Sequence, residues 1–180
     1  MRKAVEAVLL AAVLLFAVTA FVSCKKDESR LKAAAEQRFS GAFSCSAKID
    51  CKGMSYEVVY TRTADGTSSL KFTKPSELAP LSLSLGKSGL TMNYGSLSAV
   101  ADPSSLPQSS LLSSLDCVFD CAQNARLSLS PDGQTASIHG RVDSGPYTLV
   151  LGRDLSPKRL TVPSLGLKVD FTSFSGNQPA

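Results

Sequence analysis

Tryptophan is missing from this chain of 180 residues, and histidine occurs once, at His139. A single imidazole, set in "ASIHGRV" on the outer face of a predicted strand, leaves no Ser-His-Asp or Cys-His constellation to nominate. Glycine-rich phosphate loops are absent as well. No C-x₂-C pair occurs among the five cysteines, so Asp116, Cys117, Asp120 and Cys121, with Cys45 and Cys51, do not read as a zinc knuckle and no metal is expected. Charge is sparse: 19% of residues are charged and the formal balance is only +4. The basic residues are scattered apart from Lys25-Lys26, which excludes a nucleic-acid stripe and leaves at most attraction to an anionic membrane surface. No cofactor and no catalytic activity are expected from these residues.

What the chain does have is apolar side chains, at 43% of residues, in a length that suits one domain with a real core. It opens on a leader. Arg2 and Lys3 precede 16 residues, Ala7 to Val22, interrupted only by Thr19. That is a secretory h-region, a little short of the roughly 18 to 20 residues of a comfortable membrane span. Phe21-Val22-Ser23-Cys24 resembles the lipobox of bacterial lipoproteins, with Phe21 in place of the usual aliphatic residue. The resemblance implies cleavage before Cys24, acylation of its thiol and anchorage of the chain to a membrane on the extracytoplasmic side. Lys25 stands where retention at an inner membrane typically uses Asp. Arg2, Lys3 and Glu6 would leave with the leader, so the mature chain carries one positive charge fewer than the whole.

After Cys24, a tether is expected over residues 24–30, and the stretch from Lys25 to Phe39, "KKDESRLKAAAEQRF", is rich in helix formers, with Asp27 or Ser29 as N-cap and Gly41 as the stop. From Ala42 the period becomes two. Phe43, Cys45, Ala47, Ile49 and Cys51 share one face and Ser44, Ser46, Lys48 and Asp50 the other. The alternation continues around Tyr56, Val58 and Tyr60, turns at Asp65-Gly66, and resumes through Leu81, Leu83 and Leu85, then Leu90, Met92 and Tyr94. Between Pro103 and Asn124 it gives way to an amphipathic arc of Leu111, Leu112, Leu115, Val118, Phe119 and Ala122, one helix or two short ones. Strands then return up to "LKVDFTSF". About nine strands and two helical segments predict a mainly β (α+β) fold, an antiparallel meander with helices packed on one face.

This order resembles the lipoprotein carrier and receptor superfamily, the LolA/LolB-like fold. The segments that carry the resemblance are "KPSELAPLSLSLGKSGLTMNYG", the central "LPQSSLLSSL" and "GPYTLVLGRDLSPKRLTVPSLGLKVDFTSF". It implies an incomplete barrel over residues 31–175, a curved sheet whose concave apolar face is covered by helices and holds acyl chains, followed by a tail at 176–180. Val58, Tyr60, Leu70, Phe72, Leu83, Leu85, Met92, Tyr94, Leu115 and Phe119 are the candidates to line that cavity. Arg62 is the positional candidate for a lid-controlling arginine. The true carriers lack a lipobox, so the expected function is that of an anchored lipoprotein binding or transferring a lipid or lipoprotein acyl group. The alternative is a non-enzymatic envelope lipoprotein whose closed core docks a protein.

With Cys24 spent on lipid, Cys45, Cys51, Cys117 and Cys121 remain as disulfide candidates in an exported chain. Cys45 and Cys51 lie about 20 Å apart if the strand is extended, whereas one helical turn, about 6 Å, separates Cys117 from Cys121. Two parallel strand-to-helix bridges therefore cannot both form. One bridge with two thiols, or two local bridges across distorted segments, are the options.

Overall fold

The computed structural model describes residues 33–87, 89–102, 111–122, 126–130 and 134–176, with the backbone alone at Arg126. The leader, Cys24 and both proposed N-caps lie outside these residues. Eleven strands are described, two more than the alternation suggests: β1 (Phe43–Cys51), β2 (Met54–Arg62), β3 (Ser68–Lys74), β4 (Leu81–Gly86), β5 (Gly89–Tyr94), β6 (Leu97–Ala101), β7 (Arg126–Leu129), β8 (Thr135–Val142), β9 (Gly145–Gly152), β10 (Pro157–Val162) and β11 (Leu167–Gly176). The strand most easily missed is β6, because "LSAVA" alternates between small residues and shows no strong polar face. Two helices accompany them: α1 at 33–40, and α2 (Leu111–Ala122), where the amphipathic arc falls. None of the described helices is long and apolar enough to cross a membrane.

All eleven strands join one antiparallel sheet in the order β6-β5-β4-β3-β2-β1-β11-β10-β9-β8-β7. The chain winds outward from β1 to one edge, crosses through α2 to the other, and winds back until β11 pairs with β1. Tight turns set the registers. Lys52 and Gly53 both have positive φ, 49° and 84°, which is the two-residue turn whose twist matches an antiparallel hairpin. At the expected Asp65-Gly66 turn, Asp65 accepts hydrogen bonds from Thr63 and Thr67, and Gly66 sits at φ 86°. The Lys74–Pro75 peptide is cis.

Register carries the apolar phase from strand to strand. Cys45 faces Tyr60, Tyr60 faces Leu70, Leu70 faces Leu83, and Leu83 faces Met92. In the other direction Ile49 faces Val169, Val169 faces Leu160, Leu160 faces Leu149 and Leu149 faces Ile138. One side of the whole sheet is thus apolar. α2 packs on that side and touches β8 as well as β3 and β4, although five strands lie between β3 and β8. A flat sheet would hold those strands about 28 Å apart at the usual spacing of neighbours, so contact with both requires the sheet to bend round the helix. The result is an unclosed, curved sheet with helices on its concave side.

Candidate functional site

The middle of the concave face is filled. Phe119, from α2, places its ring centroid 4.9 Å from Phe43, 5.4 Å from Phe39, 5.5 Å from Tyr60 and 6.0 Å from Phe171. These spacings lie in the favourable range for aromatic pairs. Leu112, Leu115 and Val118 of the same helix are buried with them. Of the ten cavity candidates, Val58, Tyr60, Leu70, Phe72, Leu115 and Phe119 belong to this closed core. All six are buried side chains of one continuous apolar cluster.

Toward β6 the same apolar phase emerges from cover. Leu81, Leu83 and Leu85 are half-buried; Met92, Tyr94 and Leu97 are 43%, 47% and 71% exposed. Facing pairs Leu83–Met92, Met92–Ala99 and Tyr94–Leu97 make this wing a continuation of the core surface. Between Leu81 and Ala101 the sequence has one charged residue, Lys87, and it lies in the β4–β5 turn. The polar phase of these strands forms the opposite face, where Asp65, Thr67, Ser84, Lys87 and Thr91 line a cleft of about 300 Å³. That cleft is lined with hydroxyls and charges and does not suit an acyl chain.

A polar cluster ties α2 to the sheet at the rim of the core. Tyr60 donates its hydroxyl to Asp116 Oδ1 at 3.1 Å, Ser68 also binds that oxygen, and the Tyr60 and Ser68 hydroxyls are 3.0 Å apart. Arg62 Nη2 meets Asp120 Oδ1 at 2.5 Å, and its Nη1 lies 3.7 Å from Asp116 Oδ1. Burial, reinforced by the Asp116 charge, pushes the Tyr60 hydroxyl well above its ordinary range, so it stays a donor. Burial works against the Arg62 charge, but the hydrogen bond and charge of Asp120 outweigh it and hold the guanidinium above its usual value. Asp116 and Asp120 stand one helical turn apart and meet the end of β2 together. Reading them only as unsuitable metal ligands missed this role. The signals were present: Ser68 occupies the dry phase of β3, and Asp116 follows the buried Leu115 directly.

All four described cysteines are free thiols in this structure. Cys45 is buried in the core, where desolvation pushes its thiol up to about 12. Cys51 donates weakly to the Leu165 carbonyl oxygen, and Cys117 and Cys121 bring their sulfurs to 3.8 Å. His139 lies on the outer face, its Nδ1 3.2 Å from Thr148 Oγ1. Among the described residues no three His, Cys, Asp or Glu side chains gather as metal ligands.

No protein-family profile and no curated protein sequence matches the chain. Solved structures do. An uncharacterized conserved protein from Thermus thermophilus superposes with a TM-score of 0.52 at 11% identity, covering 84% of this chain and 88% of that one. A DUF1329 family protein from Desulfovibrio piger gives 0.43 at 14% identity, over 84% and 92%. A LolA superfamily protein from Nitrosomonas europaea gives 0.45 at 11% identity, over 84% and 94%. The Thermus likeness is one of fold.

Proposed function

We propose that this chain is a membrane-anchored, extracytoplasmic lipoprotein that binds or hands on a hydrophobic ligand, the acyl chain of a lipid or of another lipoprotein. One observation carries the reading: the apolar face of the half-barrel continues past its packed centre onto β4–β6, where Leu83, Met92, Tyr94 and Leu97 are left partly or largely uncovered. An acyl chain gains about 25 cal/mol for each Å² of apolar surface it removes from water, and a wing almost free of charge asks for no desolvation in return. Acylation of Cys24 would supply the anchor, and no chemical step is assigned to the protein.

The second reading, a docking module with a closed interior, is favoured by the aromatic cluster around Phe119, which fills the centre. Native mass spectrometry of a form beginning at Lys25 and purified from cells separates the two. Co-purified lipid that is lost in a Met92→Lys, Leu97→Lys double variant supports the carrier; a wild type free of lipid supports the docking module. The anchor is tested independently, since Cys24→Ser abolishes labelling by a fatty-acid analogue, and persistent labelling would refute it.

A further inference from the structure

Cys117 and Cys121 alternate along α2 with the two aspartates that hold Arg62, in the order Asp116, Cys117, Asp120, Cys121. Their sulfurs are 3.8 Å apart, and both residues are half-buried and open to a small reagent. The other two described thiols are engaged elsewhere, Cys45 inside the core and Cys51 beside Leu165. The contact is nevertheless not a bridge waiting to close without strain. Residues four apart on a helix hold their Cβ atoms about 5–6 Å apart, whereas a disulfide needs about 3.5–4.5 Å. Closing the bond must draw the two Cβ atoms together by about 1–2 Å, which a regular turn does not allow. Asp120 belongs to the turn that would deform.

We propose that Cys117 and Cys121 are a reversible disulfide site, and that closing it withdraws Asp120 from Arg62 and loosens α2 from β2. The oxidant is a small disulfide such as oxidised glutathione. One cysteine thiolate attacks it, expelling one thiol and leaving a mixed disulfide; the second cysteine displaces the other thiol as the Cys117–Cys121 bond forms. Two electrons pass to the oxidant, and the two cysteine protons end on the released thiols. Burial, and after it the hydrogen bond with Cys121, pushes the Cys117 thiol up to about 11, so that thiol rests protonated and is a slow nucleophile. This inference rests on the Arg62 contacts and not on the lipid reading.

The test equilibrates the full chain in glutathione buffers of graded poise, followed by thiol trapping and peptide mapping. The expected product is a peptide containing both cysteines and lacking two hydrogens, absent from Cys117→Ser and from Cys121→Ser but retained in Cys45→Ser and Cys51→Ser. Because coupling is reciprocal, Asp120→Asn should favour oxidation by about threefold to tenfold in the exchange equilibrium. Arg62→Met approaches the same contact from the sheet and should shift it likewise, should the first variant fail to fold. A bridge to Cys45 or Cys51, no bridge at the most oxidising poise, or an equilibrium unmoved in a folded Asp120→Asn or Arg62→Met variant would each overturn the proposal.

Discussion

The two flanks of the sheet are built from the same alternation and end in different states. On β8, β9 and β10 the concave residues Ile138, Leu149 and Leu160 are fully enclosed. On β5 the equivalent phase is buried only at Leu90, while Met92 and Tyr94, with Leu97 of β6, lie open. Both flanks are apolar on that side; cover makes the difference. α2 rests mainly on β8 and touches β3 and β4 on the other side. Burial here depends on where the helices lie, and strand composition alone does not set it.

That comparison is broken or sharpened by substitution. The largest effect belongs to the covered centre: Phe119→Ala should destabilise the fold by about 3–5 kcal/mol, read from the midpoint of denaturant unfolding. Gly140→Ala comes next. Its new Cβ would lie 2.5 Å from the Tyr147 ring, which crosses the glycine from the facing strand, and about 1–3 kcal/mol should be lost through overpacking. On the open wing, Met92→Ala should change stability by less than about 0.5 kcal/mol in the same titration. A loss near that of Phe119 would mean that the wing is covered after all.

The enclosed side should also be distinguishable by pH. The Cys45 thiol is raised from 9.0 to about 12 by burial, and Tyr60 is raised for the same first cause. In the unfolded chain these groups ionise earlier, so the stability they contribute is complete below about pH 9 and is lost as pH climbs toward 12. Thermal melts at alkaline pH should therefore fall less steeply in Cys45→Ala than in the wild type, each compared with its own midpoint at neutral pH. A small effect is also expected on the exposed surface, where Arg159 Nε meets Asp170 at 2.5 Å and lowers its carboxyl. Arg159→Ala should alter stability by less than about 1 kcal/mol, a difference confined to pH above the Asp170 titration and lost as pH falls through it.

Much of this was legible in residue order. The strict alternation around Tyr60, Leu83 and Met92 places the strands and their dry faces, and the arc from Leu111 to Ala122 matches α2. It could not tell Leu70, which is fully enclosed, from Met92, which is not, because both occupy the same phase and only the distant helix separates them. Nor does periodicity mark β6, whose small residues carry little pattern, or pair β1 with β11, a choice made by contacts far apart in sequence. The Arg62 cluster joins β2, β3 and α2, and its members become meaningful only when those three elements meet.

The first and last strands lie side by side at the heart of the sheet, with Phe43 facing Gly176 and Cys51 facing Leu167. Each meander therefore keeps an unsatisfied inner margin until the final ten residues of the fold arrive. A chain delivered amino end first cannot seal its own seam early, and local hairpins alone do not complete the body. Closure over so long a loop is slow and leaves both margins free to find wrong partners, so a truncation that removes the last strand should leave aggregation-prone halves and no smaller folded body.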